Sequence, residues 1–293
     1  MRVDRFLKES LPQFSMQNVH DLLAARLITW DDSRRIAEKG ETIQPGATLT
    51  WINAPDLSIL PIPNPAIRLQ VHHQDPHFLI VEKPAPMPTQ PLAPWERDTV
   101  ANGLIAAFAD LHEVGDQPLE PGLLHRLDTE TSGLLLVART PAAWQAGRRL
   151  FKEKKIDKEY LALVSGVVKK AASCKLPLQH DTTDRRKMRV ASDNSKQRCL
   201  EAITHFTPER NLATQTLLRV TIPTGVMHQI RVHLSHLGHP IVGDSLYGVA
   251  SDKPSLSRHF LHAHRLKFTH PITQKTVEVI SPLPEELAAF LKE

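Results

Sequence analysis

The chain has 293 residues, 41% of them apolar, with 36 basic against 32 acidic side chains and a formal charge of +4. That length accommodates one large domain with a small one attached, or two medium domains, and the apolar share gives an ordinary globular core. The mild basic excess admits a nucleic-acid partner without requiring one. The two cysteines, Cys174 and Cys199, form neither a metal-type spacing nor a disulfide framework, which suits a reducing cytoplasm. The charged start MRVDRFLKES lacks the apolar core of a signal peptide, and no run approaches membrane-spanning length, so a cytoplasmic protein with no membrane partner is expected.

Val3, Phe6 and Leu7 recur at helical spacing. A second helix is predicted in SMQNVHDLLAARL, capped by Ser15, with Val19, Leu22, Leu23 and Leu27 on one face. LITWDD and ETIQPGATLTWI read as short strands, with a tight turn at Pro45-Gly46. Residues 1–53 therefore form a small α+β unit, an appended module or an arm leaning on the rest. Arg2, Arg5, Lys8 and Arg26 give its helices a basic character that Asp4, Glu9 and Asp21 dilute. Residues 54–68, APDLSILPIPNPAIR, read as a proline-rich linker, and 69–293 as the main domain.

In the main domain, LQVHHQ and FLIVEK are predicted strands around an Asp75-Pro76 turn, and Thr99 to Leu111 is helical by its apolar spacing. LLHRLDTETSGLLLVAR then sets a polar loop between two apolar runs that read as buried strands, Leu123-Leu124 and Leu134 to Ala138. Thr129, Thr131 and Ser132 offer hydroxyls to loop amides, and Gly133 permits a turn or a close approach. Asp128 is thus a carboxylate held at the edge of a core, although a solvated loop aspartate fits the local pattern equally well. A helix capped by Thr140-Pro141 follows, then a turn over Ile156 to Lys158 and a strand from Tyr160 to Val164.

Beyond it, DRRKMR (184–189) reads as a polar connection, CLEAITHF and LATQTLLRVTI as strands, and Ile230, Leu234 and Leu237 mark a helix ended by Gly238. HAHRLKFTHPITQKTVEVISPLP reads as a hairpin and PEELAAFLKE as a terminal helix. Two basic clusters stand out. One holds Arg148, Arg149, Lys152, Lys154, Lys155 and Lys158, and the other Arg185, Arg186 and Lys187. Either alone reads as a solvated face; both beside one cleft suit a phosphate backbone.

Of the 16 histidines, His228, His233, His236 and His239 crowd one helix and its end. Only the 233–236 and 236–239 steps have ligand spacing, and no HExxH pattern or cysteine joins them, so packed histidines, or histidines donating to RNA, are expected instead of a metal site. No glycine-rich phosphate loop, nucleotide fingerprint or GxSxG elbow is present, and no nucleotide or other cofactor is expected. A lone aspartate, an arginine from a distant helix (Arg231) and a tyrosine (Tyr160) are sufficient for cofactor-free chemistry. The arginine gives the carboxylate a counter-charge, and the ring offers a base a flat face, unless Tyr160 is simply a packed strand tyrosine.

HRLDTETSGLLLVAR, KEYLALVSG, HQIRVHLSHLGHPIVGDSLYG and FLHAHRLKFTHP together resemble the RluA-type RNA pseudouridine synthases, in the family's order. The resemblance implies an α+β fold, with a mostly antiparallel twisted sheet flanked by helices and crossed by the active cleft. It also implies isomerisation of uridine to pseudouridine in structured RNA, large-subunit ribosomal or transfer RNA, after the base has left its stack. On it, Asp128 matches the catalytic aspartate, Tyr160 the tyrosine packed on the target base, Arg231 the partner of the aspartate and Arg126 a residue at the vacated stack. His228 joins the basic residues named above as an RNA contact, and a monomer is expected. Residues 1–53 resemble the alpha-L RNA-binding motif more weakly, having Ala24-Ala25-Arg26-Leu27 and Trp30-Asp31-Asp32 where a basic helix and a Val-Asn-Gly turn are usual. Two departures fall elsewhere: Gly225-Val226-Met227 replaces Gly-Arg-Thr, and Pro86 follows Lys83-Pro84-Ala85 where glycine is common. The first keeps open a second reading, an RNA-binding or RNA-folding protein of the same fold with impaired catalysis.

Overall fold

The computed structural model describes residues 1–12, 14–30, 35–52, 54, 61–184, 186–192, 198–248 and 256–292. Helices α1 (Val3–Ser10) and α2 (Met16–Ala24) come first. Ser15 starts α2 with a capping box: its hydroxyl accepts from the Asn18 amide at 3.0 Å, and its own amide donates to the Asn18 side chain at 2.9 Å. Helix-end donors that would otherwise lack partners are thereby satisfied. Strands β1 (Ile28–Trp30), β2 (Arg35–Ile36) and β3 (Leu49–Trp51) make an antiparallel sheet in the order β2-β1-β3. Val3, Leu7, Val19, Leu22 and Ile28 close a small core, against which Trp95 packs from far along the chain. The rings of Phe14 and Trp51 lie 5.7 and 6.3 Å from that indole. Residues 55–60 of the expected linker, and Asp31 and Asp32 at the end of the expected strand LITWDD, lie outside the described residues.

The main sheet begins with the hairpin β4 (Val71–Gln74) and β5 (Phe78–Lys83), closed where Asp75 accepts from the amides of His77 and Phe78. Helix α3 (Val100–Ala107) starts on a Thr99 cap, and a 3-10 turn, Ala109–Glu113, extends it. Then come β6 (Ser132–Ala138), α4 (Pro141–Lys152) and β7 (Ile156–Ser165). Strands β8 (Ala172–Cys174), β9 (Leu178–His180), β10 (Met188–Val190), β11 (Thr204–Asn211) and β12 (Gln215–Thr221) lead to α5 (Gln229–His236). The chain closes with β13 (Leu261–Thr269), β14 (Thr276–Ile280) and α6 (Glu285–Phe290).

The order β4-β5-β6-β13-β7-β12-β11-β8, with β14 also on β13, makes nine strands, while β9 and β10 form a separate pair. The β6–β13 contact is parallel and the other pairings of this sheet are antiparallel, so the fold is the mixed, mostly antiparallel α+β arrangement expected. All seven residues of β6 are buried, as an uninterrupted apolar run requires when both faces are covered. The parallel contact explains Gly133. Its φ is +116°, and a Cβ there would sit 2.4 Å from the Ala263 carbonyl oxygen.

Four local expectations need correction. Leu123 makes a single bridge to Val137, not a strand, because the backbone on either side of Asp128 is tied to side chains. Ile156 to Lys158 opens β7 instead of turning, since Phe268 and Leu266 of β13 pair with Ile156 and Lys158. The segment Cys199–Ala202 precedes β11, whose strand runs on to Asn211. Met188 and Arg189, expected in a polar connection, form β10 by pairing with His180 and Gln179. No helix among the described residues is long and apolar enough to cross a membrane.

Candidate active site

The loop before β6 is fixed residue by residue. The Thr89 hydroxyl donates to the Leu127 carbonyl at 2.8 Å, and the Leu127 amide donates back to it at 3.1 Å. On the other side of Asp128, the Lys83 ammonium and the Met87 amide both donate to the Thr129 carbonyl at 2.9 Å. Lys83 also donates to the carbonyls of Pro84 and Met87. Burial, and after it the Arg258 charge, pull this lysine down to about 7, against the opposing charges of Asp128 and Glu82. Arg258 completes the frame, donating to the Glu130 carbonyl at 2.9 Å and to the Ser132 hydroxyl at 3.1 Å. The Thr131 and Ser132 hydroxyls, expected on loop amides, bond instead to the buried rings of His259 and His262. Every carbonyl named is paired, so the loop holds a polar turn against the core without leaving those acceptors unsatisfied.

From this frame Asp128 projects, its side chain 25% exposed, and accepts from Arg231 Nη1 at 2.9 Å. Arg231 is 4% exposed and extends from α5, where its Nε and Nη2 are gripped by Asp244 at 2.7 and 2.9 Å. Asp244 Oδ1 also accepts from the amides of Leu246 and Tyr247, and the Tyr247 ring lies 5.1 Å from the guanidinium carbon. Burial works against the Arg231 charge, but Asp244 and Asp128 outweigh it and hold the guanidinium protonated. Burial alone would raise Asp244; its bonds and charge interaction with Arg231 outweigh that and keep it below the usual carboxylate range.

The central strands bring the aromatic face to the same place. Tyr160 on β7 pairs with Ala263 of β13 and Val220 of β12 and is buried. Burial, and after it the Asp128 charge, push its phenol upward, so the hydroxyl stays protonated. His228, just ahead of α5, adopts a left-handed backbone (φ +56°) and turns its ring toward the loop, Nε2 lying 3.8 Å from Asp128 Oδ2. Asp128, Tyr160, Arg231 and His228 all line one cleft of about 1670 Å3.

Of the expected RNA contacts, Arg126, Arg148, Arg149, Lys152 and Arg186 also stand in its walls. Lys155 turns to Glu153 at 2.7 Å and, like Lys187, is not part of the lining; Arg185 lies outside the described residues. Lys154, paired with Glu201 at 2.9 Å, and Lys158 of the same cluster also line the cleft. Lys158 is buried, donates to the Thr224 carbonyl at 3.2 Å and rests on the Phe151 ring; burial lowers it to about 8. Gly225, Val226 and Met227 form part of the same wall, so the missing arginine of that motif leaves an apolar patch facing the cleft. His233 is occupied by the Thr204 hydroxyl and the Leu176 carbonyl, and His239 by the Ser165 carbonyl, which accounts for these two as packed histidines. Among the described residues no group of three or more histidine, cysteine, aspartate or glutamate side chains is arranged to hold a metal ion.

Asp244, Tyr247, Lys83, Thr89 and Arg258 were not assigned to the site from the sequence. Three of them stood in stretches already noted, Asp244 and Tyr247 together in GDSLYG and Lys83 ahead of Pro84-Ala85.

A mixed sheet carrying a clamped acidic loop beside a basic cleft is what the resemblance to RNA pseudouridine synthases implied, and the comparisons place the chain in that class. Residues 77–236 match the family described as RNA pseudouridylate synthase. The chain is 35% identical to an uncharacterized RNA pseudouridine synthase of Chloroflexus aurantiacus over all of its own length and 89% of that protein. It is 32% identical to ribosomal large subunit pseudouridine synthase D of Xylella fastidiosa over 99% of its length and 88% of that protein. The solved structure of human RNA pseudouridylate synthase domain containing 1, at 29% identity, superposes with a TM-score of 0.62 over 76% of this chain and 87% of that one. The chain belongs to the RNA pseudouridine synthases, in their RluA-type family. Its reaction is the isomerisation of uridine to pseudouridine within RNA.

Proposed function

We propose that the chain modifies uridine in large-subunit ribosomal RNA, with Asp128 as the catalytic carboxylate. The observation that carries the assignment is the bond from Arg231 to Asp128, made by a guanidinium that Asp244 immobilises at the back of the cleft. A carboxylate paired with a fixed counter-charge, yet partly open to the cleft, serves either route to the product. In one, Asp128 attacks the sugar carbon as the glycosidic bond breaks. In the other, it removes the neighbouring sugar proton to leave a glycal. In both, the electron pair of the broken carbon–nitrogen bond leaves with the uracil, which turns over and rejoins the sugar through carbon 5, displacing Asp128 from the sugar carbon in the first route and, in the second, as Asp128 returns the proton to the neighbouring sugar carbon. Carbon 5 then loses its proton and the freed ring nitrogen gains one.

Tyr160 gives the detached base a flat apolar face during that turn, and Arg231 keeps the carboxylate aimed. Arg126, Arg148, Arg149, Lys152 and Arg186 receive the phosphates on either side of the extruded nucleotide, offsetting the few kcal/mol that leaving the stack costs. Residues 1–53 act as a small RNA-binding module, residues 54–68 link it, and 69–293 carry the reaction. The protein works as a cytoplasmic monomer. Ribosomal RNA is favoured because relatives from Xylella fastidiosa and Xanthomonas campestris, matched over 99% of this chain, are named ribosomal large subunit pseudouridine synthase D. A pseudouridine map of total RNA from cells with and without the gene tests the substrate. A site lost only from large-subunit ribosomal RNA is expected, and a loss confined to transfer RNA would overturn it.

A further inference from the structure

Tyr247 and His228 form a pair beside the cleft whose hydrogen bonds have one consistent arrangement. The Tyr247 oxygen accepts from the Met188 amide at 2.8 Å and lies 2.8 Å from His228 Nδ1. Its own proton then has one acceptor among the described residues, the Nδ1 lone pair. Burial raises the Tyr247 phenol, which keeps that proton in place. With Nδ1 taking the Tyr247 proton, the imidazole carries its own proton on Nε2.

That N–H has no hydrogen-bond partner among the described residues. Asp128 Oδ2, at 3.8 Å, is beyond hydrogen-bonding distance, and the imidazole side chain is 13% exposed where it lines the cleft. A half-buried donor is thus held beside the carboxylate and lines the cleft. The groups facing this ring are Asp128, Arg231, Asp244 and His259; with burial the largest influence, their sum lowers the ring and keeps it neutral near pH 7.

We propose that His228 is a catalytic residue whose Nε2–H, oriented by Tyr247, donates to a carbonyl oxygen of the target uracil as the base detaches. The inference rests on the assignment of Asp128 as the catalytic carboxylate. When the carbon–nitrogen bond breaks, its electron pair delocalises onto the two uracil carbonyl oxygens, and a preplaced donor binds that charge more tightly than it binds the neutral base. No proton changes hands in this contact. It gives the base a point of attachment while the ring turns over Tyr160. Tyr247 is a positioning residue, acting only through the tautomer it imposes.

The test is a double-mutant cycle on conversion of a defined RNA, with kcat and KM measured separately. His228→Ala is expected to lower kcat about 100-fold with little change in KM, and His228→Gln, which keeps a side-chain N–H, to recover part of the loss. Tyr247→Phe keeps the ring over Arg231 and is expected to lower kcat by itself, but to have no further effect in the His228→Ala background. A purely structural role for the hydroxyl would add its cost in both backgrounds. Wild-type kcat in His228→Ala, or additive effects, would overturn the proposal. Should His228→Ala fail to fold, the nitrogen-15 shifts of the His228 ring decide it: an Nε2–H tautomer in the wild type, lost in Tyr247→Phe, is expected, and an Nδ1–H tautomer in the wild type refutes it. Failure of the underlying assignment has a different signature, namely full activity in Asp128→Asn.

Discussion

Arg231 and Asp244 hold each other through two parallel hydrogen bonds, of 2.7 and 2.9 Å, on the side of the guanidinium away from the cleft. The remaining Nη1 is thereby presented to Asp128 in one orientation. Asp244→Ala leaves a nearly buried cation with half its partners gone. Breaking such a pair is expected to cost about 3 kcal/mol of folding stability, read as a lower urea midpoint at constant slope. Arg231→Lys retains the charge but not the fork, so pseudouridine formation falls although the protein folds.

The cleft walls predict a salt dependence. If Arg148, Arg149, Lys152 and Arg186 each meet a phosphate, neutralising one lowers the slope of log K against log salt by about 0.7 to 0.9. The measurement is RNA affinity over a salt series for each alanine variant. Lys155→Ala, whose ammonium is turned to Glu153, is expected to leave the slope unchanged. An equal effect at Lys155 would put the RNA path elsewhere.

A half-buried histidine, His125, and a buried one, His262, predict acid sensitivity. His125 accepts the Leu136 amide on Nε2, so protonation would destroy a bond inside the core; burial lowers it to about 3. Burial likewise lowers His262 to about 4. Both are neutral in folded and unfolded chains above the ordinary value of 6.5, where their contribution is complete. As pH falls below 6.5 the unfolded chain takes up protons that the folded one refuses. Stability therefore drops, by up to about 1.4 kcal/mol per pH unit for each group, until the folded values are reached. Urea titrations between pH 7 and pH 4 check this, and His262→Asn should flatten the profile.

Gly133→Ala places a methyl group against the Ala263 backbone in a left-handed conformation. The cost is expected to be about 2 kcal/mol or more, because backbone on both sides must move. Since β6 and β13 meet there, next to Asp128, loss of activity should accompany loss of stability in a thermal melt.

What the sequence disclosed and what it withheld follow from range. The Ser15 and Thr140 caps and the buried run of β6 are local patterns and could be read directly. The β9–β10 pair and the start of β7 could not be, since their partners decide whether a polar or mixed segment becomes strand. The site divides in the same way. Asp128, Tyr160 and Arg231 stood in distinctive motifs and converge on one cleft. The side chains that fix them, Thr89 at 38 residues from Leu127 and Lys83 at 46 from Thr129, have no local signature. Asp244 is only 13 residues from Arg231, but nothing in its neighbours says that it faces inward.

The central claim is that Asp128 performs the isomerisation in a cleft that binds RNA independently of it. The most direct measurement is conversion of a defined ribosomal RNA fragment by wild type, Asp128→Asn and Asp128→Ala, with affinity for the same fragment measured alongside. The wild type should form pseudouridine, while both variants bind with nearly unchanged affinity and convert nothing. Full conversion by either variant would contradict the account.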